Sequence, residues 1–182
     1  LPAALETATA ACRLGIDALI IQDWGLFTLL RQALPDLPLH ASTQMSIFTS
    51  GGACEMAADG CERVVIAREC SAEDSAEICR NCPAEVEVFV HGALCMCLSG
   101  QCYFSAFLGG RSANRGLCAG TCRLPFSAKG GTGYDLSLKD LSLISYLSEL
   151  SEMGITSFKI EGRMKGPEYV ASAVTTIRQM AD

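Results

Sequence analysis

The chain has 182 residues, 49% of them hydrophobic, and a formal net charge of −6. That length supports one domain, or a large part of one, with a buried core, and the apolar fraction argues against disorder. No apolar run approaches the ~20 residues that cross a bilayer, and no charged n-region with an h-region opens the chain. A soluble cytoplasmic protein without a membrane role is therefore expected.

Residues 3–14 read as a helix broken by Gly15, followed by a buried strand at 18–22. A helix over 24–33 ends at Pro35, and residues 37–40 begin the second strand. A helix is expected over 48–59 and a strand over 63–67; Ser71 with its following acids then starts another helix. A strand over 85–90 comes next, then a cysteine-rich segment, a helix over 139–153, a strand over 157–161 and a closing helix over 167–181 opened by Pro167. Strands that are apolar throughout and separated by helices predict parallel βα units. The expected fold is α/β, an incomplete (β/α)8 TIM-type barrel over residues 1–182 with a cysteine-rich insertion after a strand. A doubly wound sheet ranks second, because no Gly-rich phosphate loop follows any strand. The chain opens at Leu1-Pro-Ala inside a helical pattern, which reads as a fragment of a longer protein. Exposed strand edges would make such a fragment poorly stable alone.

Charge is unevenly placed. Residues 1–90 carry 5 basic and 13 acidic side chains, whereas 91–134 carry Arg111, Arg115, Arg123 and Lys129 and no carboxylate. Such an island favours an anionic partner, a phosphate backbone or a carboxylate. The overall acidity argues against a general nucleic-acid binder. Polar residues gather at strand C-termini: Gln22 and Asp23; His40, Ser42, Thr43 and Gln44; Arg68 and Glu69; His91 and Cys95; Glu161 and Arg163. In a barrel these ends share one mouth. His40, Glu69, His91 and Glu161 are the candidates for proton transfer. Arg111, Arg115, Arg123, Lys159, Arg163 and Lys165 are the candidates for binding a phosphate or carboxylate. Trp24 and Phe27 are expected in the core.

Of 11 cysteines, Cys95, Cys97, Cys102, Cys118 and Cys122 are spaced C-x-C-x4-C-x15-C-x3-C. That is not the paired CxxC of a zinc ribbon, although spacing alone does not decide between zinc and an iron–sulfur cluster. Glycines at 92, 100, 109, 110, 116 and 120 let the backbone wrap an inorganic core. Cys12, Cys54, Cys61, Cys70, Cys79 and Cys82 read as small buried hydrophobes in a reducing compartment.

Glu87-Val-Phe-Val-His-Gly-Ala-Leu-Cys95-Met-Cys-Leu-Ser-Gly-Gln-Cys102 and Gly-Gly-Arg111-Ser-Ala-Asn114-Arg-Gly-Leu-Cys118-Ala-Gly-Thr-Cys122 resemble the signature of the U32 family, long called collagenase-like peptidases. Leu39-His40-Ala-Ser-Thr43-Gln44, Arg63-Val-Val-Ile-Ala-Arg68-Glu69 and Phe158-Lys159-Ile-Glu161-Gly-Arg163-Met-Lys165 are similar to its strand ends. The resemblance implies a 4Fe–4S cluster on Cys95, Cys102, Cys118 and Cys122, with Cys97 a bystander. It also implies that one or more N-terminal βα units are missing, and oxygen-independent hydroxylation of a base in rRNA or tRNA, with prephenate as a cosubstrate. Two other readings stand beside it. One is a U32 peptidase whose cysteines are structural or bind zinc, although no Ser or Cys nucleophile lies in a recognised motif and no HExxH is present. The other is a cluster-bearing scaffold acting with a partner subunit.

Overall fold

Side-chain caps set several helix starts. In the computed structural model, which describes residues 1–128, 130–163 and 165–181, Ser71 and Asp74 form a reciprocal capping box at the start of α4 (Ala72–Asn81). Before it come α1 (Pro2–Arg13), β1 (Leu19–Ile21), α2 (Trp24–Ala33), β2 (Leu39–Ala41), α3 (Ser50–Ala58) and β3 (Arg63–Val65). Asp23 accepts a hydrogen bond from the Leu26 amide at 2.8 Å to cap α2, and Thr49 accepts one from Gly52 to cap α3. After α4 come β4 (Glu85–Gly92), α5 (Phe104–Gly109), β5 (Phe126–Ala128), β6 (Gly131–Gly133), β7 (Leu141–Ser142), α6 (Leu147–Met153), β8 (Ser157–Ile160) and α7 (Pro167–Ala181).

The parallel strands pair in the order β1-β2-β3-β4-β8. Chain order and sheet order agree, so there is no reversal of the kind that marks a doubly wound sheet. The arrangement is barrel-like but open: among the described residues, β1 pairs only β2 and β8 pairs only β4.

Side chains alternate across the sheet. One face carries Leu39, Ala41, Val64, Val86, Val88 and Val90 into a core with Phe27, Leu30, Ile78, Leu147 and Ile177. Burying each such side chain contributes about 1.5–3 kcal/mol. The register Ile20↔His40↔Arg63↔Glu85 and Glu87↔Ser157 places the second set on the opposite face. There Ile20 is half exposed, while Glu87 is only 6% exposed. Glu87 bridges three strands: Lys159 Nζ lies 2.6 Å from Oε1, and Ser157 Oγ and Arg63 Nη1 lie 2.7 and 3.3 Å from Oε2. The expectation of uniformly apolar strands thus fails on this face, which carries a charged ladder.

Three segments differ from the sequence reading. The helix expected over 139–153 is confined to α6; Leu141 and Ser142 instead pair antiparallel with Gly92 and His91. β4 outruns β3 and leaves backbone groups there that need partners, and β7 supplies them. The helix expected over 48–59 begins at Ser50, after a 3-10 turn at Thr43–Met45. The cysteine segment contains α5, and the β5–β6 hairpin follows it. The core assignment holds for Phe27 at 1% exposure but not for Trp24 at 46%. No helix among the described residues is long and apolar enough to cross a membrane.

Candidate functional site

The cysteine segment leaves β4 at Gly92, whose φ of +110° and contact with the Glu161 carbonyl leave no room for a Cβ. Ser99, 3% exposed, then locks the segment onto the C-terminal ends of β2 and β3. Its amide and hydroxyl donate to Glu69 Oε1 and Oε2 at 2.8 and 2.9 Å. Its carbonyl accepts from Ser46 Oγ at 2.6 Å, and Thr43 Oγ1 lies 3.3 Å from its hydroxyl. Ser46 is the described non-glycine residue with positive φ (59°), a strained conformation that holds its hydroxyl on Ser99. Gly100 (φ +78°) lies against the Gln44 carbonyl, where any Cβ would overlap. Asn114 Nδ2 donates to the Gly100 carbonyl at 2.7 Å. Arg123 closes the far side, donating to Leu94 O at 2.7 Å, Ser137 Oγ at 3.1 Å and the Leu138 carbonyl.

These ties fix the loop that bears the thiols. Burial pushes the Cys97 thiol up, and Cys102 and Cys95 push it further. Burial also raises Cys122; the Arg123 charge opposes this and nearby Cys95 and Cys118 add to it. Cys118 Sγ accepts from the Gly120 amide at 3.4 Å, a backbone N–H to sulfur contact of the kind that steadies metal-bound thiolates. Cys95 and Cys118 are exposed and Cys97, Cys102 and Cys122 half-buried; all five are free thiols. Among the described residues, no three His, Cys, Asp or Glu side chains stand close enough to hold one metal ion.

The other six cysteines are of a different kind. Cys61 and Cys82 are buried, and Cys12, Cys54, Cys70 and Cys79 pack against the core. Burial raises Cys61, Cys79 and Cys82, and carries Cys70 to about 11. These are inert thiols.

The structure distributes the remaining candidates unevenly. Glu69 grips the cysteine segment with both oxygens. Glu161 pairs with Arg68 at 3.6 Å. His91 lies at the end of β4, stacked on Tyr169 of α7 at 5.7 Å, and its Nδ1 and the Tyr169 hydroxyl are buried without partners among the described residues. His40 stands apart. It lines an open cavity of about 640 Å³ with Asp17, Arg63 and Glu85, at the N-terminal ends of the strands, where barrels keep stability rather than chemistry. Of the binding candidates, Arg123 is consumed by its internal hydrogen bonds and Lys159 by Glu87. Lys165 lies 3.7 Å from Asp140, and Arg163 reaches the Gly116 carbonyl at 3.5 Å. Arg111 and Arg115 are exposed. Lys129 lies outside the described residues.

Sequence reasoning missed Ser99, Ser46 and Glu87, and gave Arg68 no role. Ser99 lay unremarked between Cys97 and Cys102; the signal was a small polar residue before a glycine inside a cysteine run. Arg68 is the half-buried cation of the site, its guanidinium 3.8 Å above the Phe89 ring. Burial lowers its pKa, while Cys95, Glu161 and Glu69 favour the charged form. Beside it lies a cavity of about 360 Å³ lined by Phe89, Leu143, Tyr146 and Met153 among others.

Comparison with known proteins fits this geometry. The chain is 43% identical to the Escherichia coli 23S rRNA 5-hydroxycytidine C2501 synthase over 175 residues, covering 92% of this chain and 26% of that protein. It is 34% identical to tRNA hydroxylation protein P1 of Bacillus subtilis, over 92% of this chain and 43% of that protein. A collagenase of Porphyromonas gingivalis is likewise 34% identical, over 88% of this chain and 43% of that protein. The chain therefore spans less than half the length of these relatives. A solved U32 peptidase shares the fold at a TM-score of 0.57 and 15% identity, over 91% of this chain and 63% of that one. The family model for peptidase family U32 matches residues 1–182. The chain belongs to peptidase family U32.

Proposed function

We propose that this chain is the cysteine-bearing part of an enzyme that hydroxylates a base in rRNA or tRNA. The observation that carries the reading is the cysteine segment itself: five free thiols that follow β4, in a loop tied to the C-terminal ends of β2 and β3 through Ser99 and bearing basic side chains and no carboxylate. The names of the two RNA-modifying relatives supply the substrate class.

The donor set suits a 4Fe–4S cluster on Cys95, Cys102, Cys118 and Cys122. A zinc ion needs four ligands about 2–2.3 Å from one centre, whereas a cluster spreads its thiolates over separate corners. Four thiolates offered from one glycine-rich, basic loop are the ligand type that such a cluster takes. When bound, the cluster would supply a Lewis-acidic or redox-active iron. The chain's own residues do the rest. Glu69, Ser46 and Thr43 fix the loop through Ser99, Arg123 holds its start and finish together, and half-buried Arg68 adds a positive charge that acts on Cys95. Replacing a base C–H by C–OH withdraws two electrons, so the oxygen donor must accept them. A carboxylated donor of the prephenate type suits the Arg68 charge.

The peptidase reading finds less support. Among the described residues, neither histidine makes a side-chain hydrogen bond to a serine or cysteine, and His40 lies at the opposite end of the strands. The deciding experiment is nucleoside mass spectrometry of rRNA and tRNA from cells lacking the full-length protein. Wild type is expected to restore a nucleoside heavier by one oxygen, and Cys118→Ala to fail. Restoration by Cys118→Ala, or no missing nucleoside in the deletion strain, refutes the reading.

A further inference from the structure

We infer that α5 and the loop after it form a base-stacking platform for unpaired RNA, with Tyr103 and Phe107 as the stacking faces and Arg111 and Arg115 on the phosphates. This rests on the RNA reading above and names the form of RNA that the site takes.

Phe107 is 91% exposed and Tyr103 67% exposed. Leu98, Leu108, Leu117 and Leu124, from the same segment, are all more than half exposed. So many exposed apolar side chains in one segment call for a partner. The exposure is not a sign of a loose helix, because the other side of α5 is anchored. Ser105 is 1% exposed, its hydroxyl accepts from the Ala119 amide at 3.0 Å, and its carbonyl accepts from the Arg111 amide at 3.2 Å. Phe104 stacks on Phe126 at 5.7 Å. The aromatic face is therefore held in place beside Cys118, one residue before Ala119, and Tyr103 adjoins Cys102.

Charge selects the occupant. Segment 91–134 has no Asp or Glu, and Arg111 and Arg115 make no side-chain hydrogen bond or ion pair among the described residues. A protein partner would be served by the apolar surface alone. Flat aromatic faces interleaved with unpaired guanidiniums suit a polyanion that offers π-faces, which is a nucleic acid. A duplex hides its base faces by stacking, so only unpaired nucleotides can use Phe107. Nucleotides stacked on α5 would lie next to the thiols, presenting a neighbouring base to them.

The test uses the full-length protein and a fluorescein-labelled single-stranded RNA of roughly 12 nucleotides, read by anisotropy, with the same sequence as a duplex for comparison. Phe107→Ala and Tyr103→Ala are each expected to weaken single-strand binding roughly ten-fold without changing duplex binding, and Phe107→Trp to retain it. Arg111→Ala is expected to lower the salt-dependence slope by about one. With p-benzoylphenylalanine in place of Phe107, irradiation is expected to crosslink the RNA. If wild type binds the RNA and both alanine variants bind equally well, the platform is refuted and the RNA reading stands. Crosslinking into the protein's own chain or a second copy makes the face a protein interface and also refutes it. If wild type binds neither form of RNA, the RNA reading fails, and the platform with it.

Discussion

Glu69 holds Ser99 with both carboxylate oxygens, Oε1 on the backbone amide at 2.8 Å and Oε2 on the hydroxyl at 2.9 Å. The sequence marks Glu69 as a proton-transfer candidate, whereas the geometry makes it the clasp that fastens the cysteine segment to β3. The two roles separate experimentally. Glu69→Ala leaves the Ser99 amide without a partner and removes the acceptor of its hydroxyl, at a cost of about 1–3 kcal/mol. Anaerobically purified full-length Glu69→Ala is expected to lose iron as well as hydroxylation. A variant with full iron content and no activity would return Glu69 to the chemistry.

Two glycines of the same segment should respond oppositely to a methyl group. At Gly100 a Cβ overlaps the Gln44 carbonyl at a φ of +78°, and Gly100→Ala is expected to cost about 2 kcal/mol or more. At Gly109, in α5, a Cβ meets nothing within 4 Å, so Gly109→Ala is expected to be neutral or to stabilise by about 0.5 kcal/mol. Paired denaturant titrations of the full-length variants check the contrast.

Glu87 should make the fold sensitive to acid. Its burial alone would raise its pKa, but hydrogen bonds from Lys159 and Ser157 and the charges of Lys159 and Arg63 hold it below the ordinary 4.5. A depressed carboxyl stabilises the fold above its unfolded pKa and loses that contribution as pH falls through the folded value. His40 acts in the same direction: burial and Arg63 hold it below 6.5, so the unfolded chain binds its proton first as pH drops. Melting temperature is expected to fall mildly below pH 6.5 and more steeply below pH 4.5. Glu87→Gln should flatten the acid limb while costing about 2 kcal/mol at neutral pH, because Lys159 loses its buried partner. An unchanged acid limb in this variant would contradict the assignment.

What the residues disclosed in advance follows from how local each signal was. The Ser71 capping pattern, the apolar runs of β1 to β4 and Pro167 at the start of α7 depend on neighbours in sequence, and the structure has each of them. β7 was not legible. Leu141, Leu143, Ile144 and Leu147 suit a helix face, and only the unpaired end of β4 explains why Leu141 and Ser142 extend beside it. The Glu87 ladder was hidden because Lys159, Ser157 and Arg63 meet it only through strand register. At the site, the cysteines and their basic setting were visible as composition. The Ser99 clasp was not, since Ser46, Thr43 and Glu69 converge on it from across 53, 56 and 30 residues.

Thiol reactivity offers a check on the division of the cysteines. Cys70, pushed up to about 11, and buried Cys61 and Cys82 should resist iodoacetamide at pH 8. Exposed Cys95 and Cys118 should be modified first in metal-free full-length protein, and should become protected once it is reconstituted with iron and sulfide. Peptide mass spectrometry over a time course reads both. Early labelling of Cys70, or unchanged labelling of Cys118 after reconstitution, would contradict the division.

The most direct measurement is iron and acid-labile sulfide content, with the visible spectrum, of anaerobically purified full-length wild type and Cys118→Ala. The account predicts about four irons per chain and a brown protein absorbing near ~400 nm, with both sharply reduced in the variant. Zinc in place of iron, or iron that survives Cys118→Ala undiminished, would contradict the account.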